Sequence, residues 1–364
     1  MRQAKAQAPF EGSVLQRQAL ERINQPYLLE EINQVLVARQ VGTLEEYLRA
    51  RRPGRKVRLS DLQKKAIWSV HETLAQLLQR EGLETWQQRR VRAEVACSNN
   101  HALPCYDAVV VDEAQDLDPS LLRLLIKLCK SPNRFFITAD ANQSIYGSGF
   151  TWADVDECLK FQGRTSLLKA NYRSTREIGE AAQSYLAAGA LESEAVEPKY
   201  MNNGPLPVVR SVANETAEVD LLARFLPGAA REFRLGLGSC AVFCPTEKRG
   251  EAIAAQLAKH GVHATFMKGR ELDLSRPGVK VLTLQSSKGL EFPIVALAGF
   301  ASSHYALVHA GTQDGEHDEV LARERRTIFV GMTRAMRALL VITPAHTSSP
   351  LLTGFDPNYW NLGR

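Results

Sequence analysis

The chain lacks long apolar runs, a leader-like N-terminus and closely spaced metal ligands. No apolar stretch among its 364 residues approaches the roughly 20 residues that span a bilayer, and the N-terminus lacks the charged-then-apolar pattern of a signal peptide. We therefore expect a cytoplasmic location and no membrane partner. Of the six cysteines only Cys240 and Cys244 lie close together, and the apolar residues between them indicate a buried strand rather than a metal site.

Acidic residues are scarce, relative to basic ones, in the first part of the chain. Residues 1–105 contain 17 Lys+Arg against 11 Asp+Glu, whereas the whole chain has a net charge of +5. Two basic clusters account for much of the excess: Arg49, Arg51, Arg52, Arg55, Lys56 and Arg58, and then Arg89, Arg90 and Arg92. Such clusters either neutralise nucleic-acid phosphates or form solvated loops. The sequence leaves both interpretations open.

An apolar run that ends abruptly in carboxylates is the most informative local feature. Val109-Val110-Val111 is followed by Asp112-Glu113-Ala114-Gln115-Asp116. A continuous Val/Ile run is typical of a strand in a parallel sheet, and such sheets bind ligands just beyond the carboxyl ends of their strands. One carboxylate there can hold Mg²⁺ and its neighbour can orient a water. The pattern favours nucleotide hydrolysis, although the acids could also simply precede a helix that begins near Asp118-Pro119.

The first hundred residues are predicted to be mostly helical. Ser60 and Gln63 form a capping-box pattern, apolar residues then recur at helical spacing, and Gly82 is a plausible end of that helix. A second helical stretch is predicted at about Leu28–Val37. The 364 residues, 45% of them hydrophobic and 23% charged, are enough for two globular domains.

From about Asp107 onward, strand patterns alternate with helix patterns, which predicts an α/β fold with parallel sheets. Leu191–Gly204 is predicted to be a surface connection and the tail from Pro344 to be irregular. The predicted strands are Val109–Val111, Arg134–Asp140, Leu167–Leu168, Pro207–Val212, Ala241–Phe243, Val279–Leu284, Ile294–Leu297 and Ala338–Ile342. The predicted helices are Leu121–Leu128, Ser174–Leu186, Thr216–Phe225, Arg249–His260 and Glu319–Met332.

Five short motifs follow one another in a specific order. They are Asp112-Glu113-Ala114-Gln115-Asp116, Gln143-Ser144-Ile145-Tyr146-Gly147, Asn171-Tyr172-Arg173-Ser174, Thr283-Leu284-Gln285-Ser286-Ser287-Lys288-Gly289-Leu290-Glu291-Phe292, and the segment from Glu324-Arg325-Arg326 to Val330-Gly331-Met332-Thr333-Arg334-Ala335. In these motifs the chain resembles superfamily 1 helicases of the UvrD/Rep type. The resemblance covers roughly residues 105 to 343.

The resemblance implies two RecA-like parallel-sheet domains, the first incomplete and preceded by a helical segment. We expect residues 1–105 to be the remainder of an insert in the first motor domain, residues 106–165 to be part of that domain, residues 166–343 to form the second, and residues 344–364 to be a tail. The family's phosphate-binding loop, Gly-x-x-x-x-Gly-Lys-Ser/Thr, does not occur in the chain. We therefore expect the chain to be the later part of a helicase.

In the first domain, the resemblance implies a set of groups that act on ATP and Mg²⁺. Asp112 would bind Mg²⁺ and Glu113 would act on the attacking water. Gln115 and Gln143 would form hydrogen bonds near the γ-phosphate. For Gln143 the alternative is an ordinary turn residue.

In the second domain, the resemblance implies two arginines and a nucleotide-binding set. Arg173 and Arg334 would contact the phosphates, for which the planar guanidinium is well suited. Tyr172 would stack on the adenine, Glu291 would accept a hydrogen bond from the ribose, and Gly289 belongs to the same nucleotide-binding motif. We expect the ATP site to lie in a cleft between the two domains.

Both arginines have alternative interpretations. Arg173 could merely precede a helix, with Ser174 as its N-cap and Glu177 completing a capping box. Arg334 could be a cation on a helix surface.

Contacts with DNA are implied for Tyr146, Thr283, Gln285 and Lys288. The chain departs from the family after Tyr146-Gly147, where Ser148-Gly149-Phe150 replaces the usual aromatic-Arg-Gly, and at Gln285, where histidine is common. Phe150 or Trp152 could supply the missing stacking surface, but core packing is an equal alternative for either.

The function implied is that of an ATP-dependent 3′–5′ DNA helicase or translocase. Its partners would be single-stranded or partly duplex DNA and repair or recombination proteins. Because the phosphate loop does not occur in the chain, we expect little or no hydrolysis by this polypeptide alone. The alternative is a non-catalytic nucleic-acid-binding or scaffolding subunit that retains the helicase fold.

Overall fold

A computed structural model of the chain describes residues 1–10, 14–52, 57–99, 105–139, 152–156, 159, 163–189, 198–268, 272–300, 316–347 and 349–363. The chain folds as two compact units. The first comprises Met1–Thr165 with His309–Val320, and the second Ser166–Val308 with Leu321–Arg364. Each unit is described separately below.

The first unit begins with helices packed around an apolar core. These are α1 (Arg2–Gln7), α2 (Val14–Glu21), α3 (Gln25–Glu30), a π-helix (Glu31–Val37), α4 (Leu44–Arg49), α5 (Asp61–Arg80) and α6 (Trp86–Asn99). The predicted start of α5 is confirmed, because the Ser60 side chain accepts from the Gln63 amide and the Gln63 side chain accepts from the Ser60 amide. The predicted helix at Leu28–Val37 begins earlier, at Gln25, and changes to a π-helix at Glu31.

Arg52, which belongs to the first basic cluster, is part of the protein interior. Its Nε and Nη2 contact the Glu31 carboxylate at 2.6 and 2.8 Å, and Nη1 donates to the Val57 carbonyl at 2.7 Å. Glu31 is fully buried and also accepts from the Tyr47 hydroxyl at 2.9 Å. Arg52 therefore neutralises a buried carboxylate, and its interpretation as a phosphate ligand or a solvated loop residue is wrong.

The first unit also contains a short parallel sheet and two further helices. β1 (Val109–Val111) pairs in parallel with β2 (Phe135–Ile137), and the helices are α7 (Pro119–Lys127) and α8 (Trp152–Val155). Asp118 caps α7 by accepting from the Leu121 amide at 3.0 Å, so the predicted helix start is confirmed. Helix α7 covers one face of the sheet through Leu122, which packs in a core with Val111 and Phe135.

The second unit is built on a parallel sheet with the strand order β5-β10-β9-β6-β8-β7 in its described part. The strands are β5 (Val208–Val212), β6 (Cys240–Cys244), β7 (Ala264–Phe266), β8 (Val279–Thr283), β9 (Phe292–Leu297) and β10 (Ala335–Pro344). The helices are α9 (Arg176–Ala187), α10 (Glu215–Glu232), α11 (Glu247–Lys259) and α12 (Glu316–Met332), whose first five residues, 316–320, belong to the first unit. Every pairing in it is parallel. The α/β class with parallel sheets is therefore confirmed.

Three predictions of secondary structure in the second unit are wrong. Leu167–Leu168 is not a strand, and Leu168 is 96% exposed. The strand lies instead at β3 (Ala170–Thr175), and it pairs with β4 (Lys199–Asn202), inside the segment predicted to be a surface connection. The helix predicted at Thr216–Phe225 continues to Glu232 despite an internal proline, because Leu226, Ala229 and Ala230 pack into the sheet's core.

Two expectations about the interior and the tail are confirmed. Cys240 and Cys244 lie in a fully buried strand, and burial raises the pKa of each thiol to about 12. Apart from one short 3₁₀ turn, Pro350–Leu352, and a single bridge at Asn361, the described residues of the tail after β10 are irregular. In the described residues, no helix is long and apolar enough to cross a membrane.

Candidate active site

The paired acids lie just past the carboxyl end of β1, as the apolar run predicts. Asp112 and Glu113 are both exposed. One oxygen of Asp112 accepts from the Glu113 amide at 3.0 Å and also from the Thr138 hydroxyl. Thr138 follows β2 in the way that Asp112 follows β1, and its amide donates to the Val111 carbonyl at 2.8 Å. The parallel pairing of the two strands thus brings an acid and a hydroxyl together.

Glu113 has a left-handed backbone, with φ 54° and ψ 38°. Few residues other than glycine adopt this conformation, and it is concentrated at functional sites. It ends the strand sharply and starts a 3₁₀ turn, Ala114–Asp116. The Glu113 carboxylate accepts a hydrogen bond from the Gln115 side chain, which is 4% exposed. Asp112 and Glu113 therefore make different contacts at the same strand end, and the buried side-chain amide of Gln115 holds the Glu113 carboxylate.

This donor set suits a hard divalent cation. Asp112 presents an exposed carboxylate, and the hydroxyl of Thr138, which donates to it, offers a second oxygen. Mg²⁺ prefers one or two carboxylates together with waters and substrate phosphates. Asp112 is consequently the residue that would hold Mg²⁺, whose positive charge would neutralise phosphate oxygens.

In the second unit, residues from three of the motifs are brought together. Arg173, in β3, forms an ion pair with Glu291, which directly precedes β9. The next amide, that of Phe292, donates to the backbone carbonyl of Arg334 at 3.0 Å. The predicted phosphate ligands and the predicted ribose ligand are therefore neighbours in the fold, although Arg173 lies more than 100 residues before the other two along the chain.

The arginine side chains differ in exposure. Arg173 is 42% exposed, so its guanidinium can reach a ligand. Arg334 is only 1% exposed; its Nε donates to the Val330 carbonyl at 3.1 Å, and Nη2 donates to the Thr333 hydroxyl at 3.3 Å. The alternative that Arg334 is a helix-surface cation is therefore wrong. In this conformation its side chain would have to turn outward to contact a phosphate.

The exposed ring of Tyr172 lies beside Arg173. Tyr172 is 70% exposed, and its carbonyl accepts from the Asn202 side chain at 2.9 Å. The Asn171 side chain accepts from the amides of Arg173 at 2.9 Å and Ser174 at 3.2 Å. These bonds span the register shift of β3 between Asn171 and Thr175, and the tyrosine ring stays accessible, as stacking on adenine would require.

The capping box considered for the start of α9 is not formed. Thr175, not Ser174, precedes the helix and makes no side-chain cap. The Glu177 carboxylate instead accepts from the Gly204 amide at 2.7 Å.

The residues predicted to contact DNA lie around the end of β8. Thr283 is 8% exposed, and its hydroxyl hydrogen-bonds with the Ser286 hydroxyl at 2.9 Å. Gln285 is exposed and Lys288 is half-buried. Gly289 has a φ of 74°, which glycine adopts readily. Their roles in binding DNA or nucleotide stay predictions.

Some predicted site residues fall outside the described part of the chain. Gln143, Tyr146 and Phe150 are among them, so their placement is not discussed. Trp152 is described and packs against the apolar core of the first unit, which agrees with its interpretation as a core residue. Thr138 was not predicted, although a polar residue directly after the second strand of a parallel pair could have indicated it.

Two families of known domains match the chain. The UvrD/REP helicase N-terminal domain matches residues 20–166, and the UvrD-like helicase C-terminal domain matches residues 267–346. Together they cover more than half of the chain and include every motif except that at Asn171–Ser174. The chain belongs to the UvrD/Rep helicase family.

Similar curated proteins include two bacterial DNA helicases. A probable DNA helicase from Mycoplasma pneumoniae is 24% identical over 255 residues, covering 65% of this chain and 43% of that protein. The ATP-dependent DNA helicase PcrA from Staphylococcus aureus is 38% identical over 77 residues, covering 21% of this chain and 10% of PcrA. The chain thus spans less than half the length of these curated relatives.

Two solved structures resemble parts of the chain at low TM-scores. The C-terminal domain of a possible DNA helicase from Lactobacillus plantarum is 22% identical with a TM-score of 0.39, covering 53% of this chain and 99% of that one. Dbp5 from S. cerevisiae, bound to RNA and ADP BeF3, is 12% identical with a TM-score of 0.39, covering 80% of this chain and 63% of that one.

Proposed function

We propose that this UvrD/Rep-type chain takes part in ATP-dependent translocation along DNA in the 3′ to 5′ direction and in unwinding of the duplex. The observation that carries the proposal is the arrangement at the end of β1, where an exposed Asp112 beside Thr138 adjoins a Glu113 held in a left-handed conformation. A strand that ended here for structural reasons alone would require neither two exposed acids nor a left-handed backbone at Glu113.

The proposed roles follow from what each group can do. Asp112 holds Mg²⁺, and Glu113 orients the attacking water and accepts its proton. Arg173 stabilises the charge that develops on the phosphates, and Arg334 does so after its side chain turns outward. Tyr172 stacks on the adenine, and Glu291 accepts a hydrogen bond from the ribose.

We further propose that this polypeptide hydrolyses ATP weakly or not at all by itself. The support is the absence from its sequence of the Gly-x-x-x-x-Gly-Lys-Ser/Thr string, whose backbone amides and lysine hold the β- and γ-phosphates in such enzymes. Turnover stimulated by single-stranded DNA in a pure preparation of this chain would contradict this proposal. The genomic sequence immediately upstream of the Met1 codon would show whether such a loop is encoded there.

The experiment that tests the proposed chemistry is Glu113→Gln in a polypeptide that contains both this chain and a phosphate loop. The amide cannot accept the proton of the water, so we expect turnover to fall by at least about 10²-fold, while nucleotide and DNA binding stay within about threefold. Glu251→Gln, at an exposed position of α11, is the control, because it is the same substitution at a distant surface position. Unchanged turnover in Glu113→Gln would refute the assigned role.

The burial of Arg334 favours a second candidate, a subunit that retains the fold without catalysis. A scaffold does not require an accessible guanidinium there. Equilibrium binding of MgATP in the same loop-containing polypeptide separates the two functions. Binding that is lost on Asp112→Asn supports the ATP-dependent motor, whereas no binding at all supports the scaffold.

A further inference from the structure

The first turn of α6 presents a tryptophan to solvent. Trp86 is the first residue of the helix and is 68% exposed, and Leu83, just before the helix, is 63% exposed. A tryptophan normally contributes a large buried area to a core or an interface. Exposed apolar groups that cluster in this way mark interaction sites, and none of the five motifs includes this surface.

Basic side chains surround the ring. The Arg89 guanidinium carbon lies 5.0 Å from the centroid of the Trp86 ring, so a cation lies against the indole. Arg89 Nε and Arg92 Nη2 both contact the same oxygen of Glu84, at 2.8 and 3.0 Å. The Glu84 carboxylate thus pairs with two guanidinium groups, so the cluster of Glu84, Arg89 and Arg92 carries a net positive charge.

The local backbone favours an anion as well. The Thr85 hydroxyl accepts from the Gln88 amide at 3.2 Å, and the Gln88 side chain accepts from the Thr85 amide at 2.8 Å. This capping box holds the 14-residue helix α6 at its N-terminus, where the helix dipole is positive. The ring and both arginines therefore project from a well-ordered turn.

We propose that Trp86, Arg89 and Arg92 form a binding site for single-stranded nucleic acid in the helical part of the first unit. A base stacks on the exposed indole, and the two arginines exchange Glu84 for backbone phosphates. Exposed ion pairs stabilise a protein by at most about 1 kcal/mol, so this exchange meets little resistance. The inference rests on the proposed function in one respect: it names where the DNA strand is held.

Charge and shape together favour this occupant over an apolar protein surface. A flat ring flanked by two guanidinium groups matches the alternation of base and phosphate in a single strand. A partner that buried Trp86 only by apolar contact would have to desolvate Arg89 and Arg92, which are 56% and 72% exposed, without offering them an anion.

The first test is the affinity of the chain for a fluorescein-labelled oligothymidylate of about 16 nucleotides, measured by anisotropy. We expect Trp86→Ala to weaken binding about tenfold and Trp86→Phe, which keeps a ring, to weaken it less than about threefold. Tyr106→Ala is the matched control, because Tyr106 is 60% exposed in the same unit but lies outside the cluster. We expect it to bind like the unmodified chain.

An abasic oligonucleotide of equal length separates stacking from charge. It has phosphates but no bases, so we expect unmodified chain and Trp86→Ala to bind it equally. Equal losses on both oligonucleotides would show that Trp86→Ala perturbs the fold instead, and this would overturn the stacking role.

The salt dependence of binding tests the arginines. Each phosphate contact to a single strand contributes about 0.7 to the slope of log affinity against log salt, so we expect Arg89→Gln to reduce the slope by about that amount. Lys130→Gln is the matched control, since Lys130 is also an exposed cation, paired with Asp107 at 2.8 Å, and we expect its slope to be unchanged. Equal slopes for Arg89→Gln and the unmodified chain would overturn the phosphate contact.

The outcomes distinguish this site from the proposed function. If the chain binds oligothymidylate and Trp86→Ala has no effect, the site is wrong and the proposed function stands. If the chain binds no single strand at all, both the site and the DNA-binding part of the proposed function fail. A failure of the loop-containing polypeptide to bind MgATP would count against the proposed motor alone.

Discussion

At the scale of single residues, Glu113 combines a chemical role with an unfavourable backbone. A left-handed conformation costs a residue with a side chain about 1–2 kcal/mol, and Glu113 adopts it with φ 54°. The turn sends the chain from β1 into the 3₁₀ segment and leaves both acids exposed. The geometry of the acid pair therefore depends on a conformation that glycine would adopt more easily.

We expect Glu113→Gly to be more stable than Glu113→Ala by about 1 kcal/mol. Both substitutions remove the hydrogen bond from Gln115, so their difference isolates the backbone. The free energy of unfolding of each variant, measured with urea, provides the comparison. If the alanine variant were equally or more stable, the left-handed conformation would not be a source of strain.

The ion pair between Arg173 and Glu291 leads to a second expectation at this scale. A polyphosphate must draw Arg173 away from Glu291, so Glu291→Gln should raise the affinity for tripolyphosphate about two- to fivefold, as expected for an exposed pair. This probe has no ribose, so the proposed ribose contact of Glu291 does not affect the result. Calorimetric titration measures it, with Glu247→Gln as the control because Glu247 is paired with Lys268 elsewhere in the second unit. An unchanged or lower affinity would show that the pair does not compete with phosphates.

At the scale of elements, α6 and α7 are joined by buried charges. Glu94 of α6 is 3% exposed and contacts Arg123 Nε at 2.9 Å and Lys127 Nζ at 3.0 Å, both in α7. Its other oxygen accepts from the Gln40 side chain at 2.8 Å. Arg90 of α6 also pairs with Asp118, the N-cap of α7. The helix that follows the acid pair is thus attached to the helical segment at both of its ends.

We expect Glu94→Gln to lower the free energy of unfolding of the first unit by about 2 kcal/mol, because it leaves two cations without their buried partner. Glu84→Gln in the same helix is the matched control. Glu84 also serves two cations, but at the surface, so we expect a loss below about 1 kcal/mol. Amide exchange in α7 measures both effects, and equal protection in the two variants would contradict the role given to Glu94.

At the scale of the whole molecule, the C-terminal tail is an integral part of the second unit. Trp360 is 1% exposed, packs edge-on against Phe355 and donates from Nε1 to the Ala181 carbonyl at 3.2 Å. The next residue, Asn361, forms a parallel bridge to Val208 at the start of the edge strand β5. The tail therefore covers part of a sheet edge that would otherwise be open to pairing.

We expect Trp360→Ala to destabilise the second unit by about 3–5 kcal/mol, the usual cost of removing a large buried aromatic. Amide exchange resolved by peptide should show the loss in α9 and β5, which Trp360 and Asn361 contact. Peptides from α5, in the first unit, serve as the internal reference. A loss of the same size in α5 would contradict the assignment of the tail to the second unit.

Features set by neighbouring residues were predictable from the sequence. The capping box at Ser60, the N-cap at Asp118 and the strand that ends just before Asp112 depend on short-range patterns, and all three are observed. The order of the motifs was likewise sufficient to indicate the family. Features that depend on distant partners were not predictable. Arg52 resembled its basic neighbours in sequence, and only its contact with the buried Glu31 shows that it is structural.

The same division applies to the candidate site. Local sequence was enough to specify which acids follow β1, because a strand followed by polar residues is a short-range pattern. The contact of Thr138 with Asp112, the pairing of Arg173 with Glu291 and the burial of Arg334 required the tertiary structure. Each joins or encloses groups from separate elements, and the sequence does not specify which distant side chains become neighbours until the sheets and helices have packed.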